Sequence, residues 1–126
     1  MKFKMGLIAA LLVAVAALAA CGGGGAASTV VAADAPEASS AKELSFVATN
    51  YDFDQQEYRV KQGEALKLSI DNQEGMHSLI IKGFGVELRD GDSVVAIPNK
   101  PGTYDIICSL PCGSGHSTMR AKLIVE

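Results

Sequence analysis

Twelve residues near the C-terminus, Cys108 to Met119, read CSLPCGSGHSTM, and no regular helix can run through them. Pro111 lacks a backbone donor, and Gly113 and Gly115 lie among serines, which is the composition of a turn. The stretch is a loop that folds back on itself. Within it two thiols, an imidazole and a thioether follow the spacing Cys-x3-Cys-x3-His-x2-Met, so one tight loop can aim four side chains at a single point.

Around this loop the chain reads as β-structure. From Glu43 onward, short strand-like segments are separated by turn signals, the pattern of an all-β sandwich or barrel. The expected strands are Glu43 to Thr49, Glu57 to Val60, Ala65 to Asp71, His77 to Ile81, Val86 to Leu88, Ser93 to Ile97, Gly102 to Cys108 and Arg120 to Val125. Alternation is clearest at Leu66, Leu68 and Ile70 and at Tyr104, Ile106 and Cys108, where one face is buried and the other wet. Lys61 to Glu64 and Arg89 to Asp92 are expected turns, the second with the Asp-Gly order that hairpins favour. A chain of 126 residues without tryptophan has room for one small core built on Val, Ile and Leu. A sandwich gathers its loops at two ends. The turn Asn72 to Met76, which delivers His77, can therefore share an end with the loop after Cys108.

The four donors of that loop are soft or borderline, the kind that suits copper. Calcium and magnesium take oxygen ligands, which none of the four supplies.

The segment Lys100 to Met119, KPGTYDIICSLPCGSGHSTM, with the upstream pair His77-Ser78, resembles the copper-binding end of cytochrome c oxidase subunit II. It is similar, less closely, to that of nitrous-oxide reductase. The likeness spans Asp71 to Glu126. It implies a cupredoxin-like Greek-key β-sandwich of about eight strands over residues 41–126, with the ligand loop joining the last two strands. It further implies a CuA-type centre of two copper ions. Cys108 and Cys112 would be the bridging thiolates, His77 and His116 the terminal imidazoles, Met119 the weak axial thioether, and the backbone carbonyl of Leu110 the remaining ligand. The oxidases usually carry an acidic residue where this chain has Leu110, but a backbone oxygen does not depend on that side chain. The implied role is electron transfer, with single electrons passing from a donor such as a c-type cytochrome to a terminal acceptor. No tryptophan stands where subunit II receives electrons, and no pair of membrane-spanning helices is expected. The expectation is a separate carrier, with no catalysis by this chain alone.

Other readings of the same residues stay open on sequence alone. A mononuclear blue copper site would use two histidines, one cysteine and Met119, leaving a thiol over. Zinc could take Cys108, Cys112, His77 and His116 and leave Met119 without a task. A disulfide between Cys108 and Cys112 suits an oxidising compartment but makes both histidines coincidental. A different class of function, storage, sensing or delivery of copper for a respiratory enzyme, would need the same donors. Elsewhere, Met76 is expected to be a packing residue, Tyr51 and Phe53 to fill core or edge, and Asp52, Asp54 and Glu57 to be solvated turn charge.

The N-terminus carries an address. Lys2 and Lys4 precede an uncharged run from Met5 to Ala20, the layout of an export signal over residues 1–20. Leu18-Ala19-Ala20-Cys21 resembles a bacterial lipobox, which implies cleavage before Cys21 and acylation of its thiol. The protein is then expected to be exported and lipid-anchored to a membrane, facing the periplasm or the extracellular side. Residues 21–40, rich in Gly, Ala and Ser, read as the lipidated cysteine and a flexible linker. Loss of Lys2 and Lys4 from eleven basic residues leaves nine against fourteen acidic, a net charge of −5. So acidic a domain has no electrostatic attraction to nucleic acid. No catalytic triad, carboxylate pair or phosphate-cradling loop is visible.

Overall fold

The structure, a computed structural model, describes residues 25–32 and 34–126. The expected export signal and the expected lipidation site Cys21 lie outside the described residues, and among the described residues no helix is long and apolar enough to cross a membrane. Among the described residues ten strands form two five-stranded sheets. The strands are β1 (Ser28–Val31), β2 (Lys42–Thr49), β3 (Asp52–Phe53), β4 (Glu57–Val60), β5 (Leu66–Asn72), β6 (Leu79–Ile81), β7 (Val86–Leu88), β8 (Ser93–Pro98), β9 (Gly102–Cys108) and β10 (Arg120–Val125), with one turn of helix, α1 (Pro36–Ser39). The first sheet runs β1-β8-β5-β2-β3 and the second β4-β10-β9-β6-β7. Parallel pairs join β2 to β5 and β4 to β10, and the other ladders are antiparallel.

The period-two pattern decides what fills the space between the sheets. Phe46, Ala48, Leu66, Leu68, Ile70 and Ala96 point inward from the first sheet; Tyr58, Leu79, Ile81, Ile106, Cys108 and Leu123 meet them from the second. Phe46 touches Tyr58 across the gap, edge to face, with ring centroids 4.8 Å apart. Cys108 is thus the last inward position of a core strand as well as the first donor of the loop.

Four details depart from the sequence reading. The expected linker is not free throughout, because β1 pairs with β8 over Ser28 to Val31. Ala27 is buried, its N–H donates to Gly83 O, and Ser28 Oγ donates to Phe84 O at 2.6 Å. Small residues hide such a strand from a composition reading, whereas the open edge of β8 supplies the backbone partners that fold it. The short strand β3 is an addition of the same kind, a two-residue ladder against Ala48 and Thr49. The turn Arg89 to Asp92 closes with Asp92 N–H donating to Arg89 O at 2.9 Å, but it carries the chain from one sheet to the other and makes no hairpin. Finally, β6 begins at Leu79 and leaves His77 and Ser78 ahead of the strand. His77 N–H there donates to the Asn72 side chain instead of to a ladder partner.

Candidate metal centre

Strand register brings the two parts of the site together. In the β6–β9 ladder Leu79 faces Cys108 and Ile81 faces Ile106. The same register continues past the strand ends: Ser109 N–H donates to Ser78 O at 2.9 Å, and the Ser78 and Ser109 hydroxyls lie 2.6 Å apart. One step further, His77 arrives beside the thiol. A slip of one residue would turn Cys108 to the opposite face. On the other flank, Cys108 N–H donates to Met119 O at 3.3 Å, continuing the β9–β10 ladder. Met119 is fully buried in the same apolar cluster as Cys108.

The loop between them closes by short-range turns. His116 N–H donates to Gly113 O, and a single 3-10 turn over His116–Thr118 leads into β10. Gly113 has φ +136°, a conformation that side chains rarely adopt. Pro111 lies in the exposed part of the loop.

The result is a chain of contacts among the expected donors. His77 Nδ1 lies 3.9 Å from Cys108 Sγ, Cys108 Sγ lies 3.5 Å from Cys112 Sγ, and Cys112 Sγ lies 3.7 Å from His116 Nδ1. The carbonyl oxygen of Leu110 is 3.2 Å from Cys108 Sγ. Ligand atoms of His77, Cys108 and Cys112 all fall within 4.8 Å of one another. His116 joins that group through Cys112. Both cysteines are free thiols.

Surroundings fix how these groups point. His77 is completely buried, and its Nε2 lies 2.8 Å from Glu74 O. A carbonyl can only accept, so Nε2 carries the hydrogen and Nδ1 keeps a lone pair aimed at the sulfurs. Such a partner to the far nitrogen is what orients metal-binding imidazoles. The backbone of His77 is gripped on both sides by Asn72: His77 N–H donates to Asn72 Oδ1 and Asn72 Nδ2 donates to His77 O, each at 3.1 Å. Asn72 Nδ2 also donates to Asp90 Oδ1 at 3.0 Å. Reading the sequence for donors alone misses Asn72, and the only sequence signal is its position five residues before His77. Replacing Asn72 by Ala is expected to cost about 1–3 kcal/mol, because two buried backbone groups lose their partner. Urea unfolding of the metal-free protein measures it, and an unchanged midpoint would show the grip to be unimportant.

Cys112 is half-buried, and its thiol is pushed above the ordinary range first by burial and then by the adjoining Cys108 sulfur. Two thiolates so close repel, and a soft cation between them offsets both penalties. The residues therefore fit copper: sulfur pair, two aligned imidazole nitrogens, a buried thioether and an apolar wall.

Met76 is not a packing residue, because it is 62% exposed. With Leu110, itself exposed, it edges a hollow of about 350 Å³ that reaches His77, Ser78 and Ser109. Met76 ends the exposed turn Gln73 to Met76, and the chain enters the core only with His77, Ser78 and Leu79, all three buried. A larger hollow of about 430 Å³, on Val30, Val31, Ala38, Lys67 and Val95, offers no metal donor.

No protein-family model matches the chain. Over 68 residues, 51% of its length, it is 29% identical to the alternative cytochrome c oxidase subunit 2 of Bradyrhizobium diazoefficiens, and it spans only 24% of that protein. Its fold overlays a chain from a heme-copper terminal oxidase dimer with a TM-score of 0.56 and 25% identity, covering 79% of this chain and 78% of that one. It also overlays the periplasmic domain of subunit II of the cytochrome oxidase of Bradyrhizobium japonicum, with a TM-score of 0.54 and 15% identity over 68% and 83% of the two chains. The fold is a cupredoxin-like sandwich. Within that cupredoxin-like frame the site occupies the end where β6 starts and β9 stops, with the loop before β10 closing over it.

Proposed function

We propose that this protein carries single electrons on copper held in a CuA-type pair of ions. Cys108 and Cys112 would bridge the pair, His77 and His116 bind through Nδ1, and Met119 and the Leu110 carbonyl act as weak ligands. The observation that carries this reading is the pair of free sulfurs 3.5 Å apart with one imidazole Nδ1 beside each. Copper, when bound, supplies reversible one-electron oxidation and reduction. The chain's own part is to hold donors still: β9 anchors Cys108, Glu74 and Asn72 hold His77, and the core encloses Met119. A site that cannot rearrange its donors makes electron gain and loss inexpensive in reorganisation.

Likeness to a periplasmic domain supports a place outside the cytoplasm, with Cys21 as the lipid-bearing residue and a membrane as its anchorage. The partner would be a c-type cytochrome or another redox protein. Delivery of copper is a second reading, supported by the exposed thioether of Met76 beside His77.

The test uses the chain from Gly25, so that β1 is kept. Copper per chain is counted after loading, and the electron spin resonance spectrum is recorded. Two copper ions per chain and an unpaired electron spread over two equivalent nuclei are expected. One copper, or none, would end the binuclear reading. Rapid surrender of Cu(I) to a chelator would favour delivery over carriage.

A further inference from the structure

The two donor-bearing loops meet a third element that supplies no donor, the corner Asn50–Tyr51 between β2 and β3. Tyr51 is half-buried against the core, with its ring perpendicular to that of His77 at a centroid distance of 6.4 Å. On its other side it lies against Gly113 and Gly115. A methyl group on Gly115 would run into the Cβ, Cγ and Cδ2 atoms of Tyr51, and one on Gly113 would meet the Tyr51 hydroxyl end. Gly115 has no left-handed backbone angle to explain its identity. Its lack of a side chain is explained by the ring alone. Asn50 completes the corner: its N–H donates to Glu74 Oε2 at 3.3 Å, and its side chain lies against Gly75. Glu74 is the residue whose carbonyl holds His77 Nε2.

We propose that Tyr51 is the positioning residue that holds the His77 loop and the Cys112–His116 loop at one fixed separation. Its role as a clamp on copper ligands rests on the function proposed above. A ring wedged between an imidazole and two side-chain-free positions transmits any movement of one loop to the other. Removing the ring frees the distal loop, whose own closure depends on His116 N–H to Gly113 O and Thr118 N–H to Gly115 O. The tyrosine hydroxyl is incidental to this task, whereas the ring is essential.

The experiment uses the full chain with Tyr51→Ala, Tyr51→Phe, Gly115→Ala and the double variant Tyr51→Ala/Gly115→Ala. In the metal-free protein, amide hydrogen exchange at His116 and Thr118 is expected to quicken in Tyr51→Ala and to stay as in the unaltered chain in Tyr51→Phe. After copper loading, capture of the metal by a chelator should be about tenfold or more faster in Tyr51→Ala, the range seen when groups that orient metal ligands are removed. Gly115→Ala should show the same loosening, because its methyl group expels the ring. In the Tyr51→Ala background that substitution should add nothing, the non-additivity of two groups sharing one contact. Unchanged amide exchange in Tyr51→Ala, or strictly additive effects of the two substitutions, would overturn the clamp. If the unaltered chain takes up no copper while the exchange effects appear, the clamp stands and the copper reading falls.

Discussion

Serine in place of Cys112 is expected to leave the protein unable to hold two copper ions, with copper per chain falling to one or none and the shared-electron spectrum lost. Cys112 Sγ is the atom that contacts both Cys108 Sγ, at 3.5 Å, and His116 Nδ1, at 3.7 Å. Without it, His116 has no sulfur beside it and Cys108 stands alone with His77. A hydroxyl keeps the shape but is a hard donor that stays protonated near neutral pH, so it neither bridges nor balances positive charge. Because Cys112 lies in a loop and is only half-buried, the fold should survive the change, and circular dichroism of the variant provides the control. A spectrum identical to that of the unaltered protein, with a single copper in both, would defeat the binuclear centre and favour a mononuclear one.

Phe46→Ala is expected to be the most damaging single change to the scaffold, costing about 3–5 kcal/mol. Phe46 is fully buried on β2 and meets Tyr58 of β4, so its ring joins the two sheets. Truncation loses the transfer energy of the ring and leaves a hole that neighbouring strands, fixed by their ladders, cannot close. Domains of this size have only about 5–15 kcal/mol in hand. The variant should therefore unfold at a much lower urea concentration, and a loss below about 1 kcal/mol would mean that the sandwich repacks around the gap.

Legibility differed by element. Strands β4, β5 and β7 were readable because apolar and polar residues alternate along them; β2, β9 and β10 alternate over part of their length, and β8 is an apolar run, Val94 to Ile97, bounded by turn signals. β1 and β3 were not, since four residues with one buried side chain, and two residues, have no period to detect. They exist because a neighbouring strand offers free backbone groups. Met76 departs from expectation for another reason: hydrophobicity suggests burial, but Met76 closes an exposed turn, Gln73 to Met76, and burial begins only at His77. The bracing by Asn72, Glu74 and Tyr51 was invisible, because polar and aromatic residues in turns are common and only their partners distinguish these three.

What the amino-acid order determined by itself was the inventory: which atoms can bind a metal, that four of them share a loop no helix can span, and that sheets must carry that loop. Short-range chemistry suffices for this, since Pro, Gly and alternating side chains act on their immediate neighbours. Only the tertiary structure decided that His77 meets Cys108, that Nδ1 is the nitrogen presented, and that Gly115 is bare to admit a ring from 64 positions earlier. Those outcomes depend on the register between β6 and β9 and on a corner packed against both loops. Such contacts join residues far apart in the chain, and no local preference encodes them.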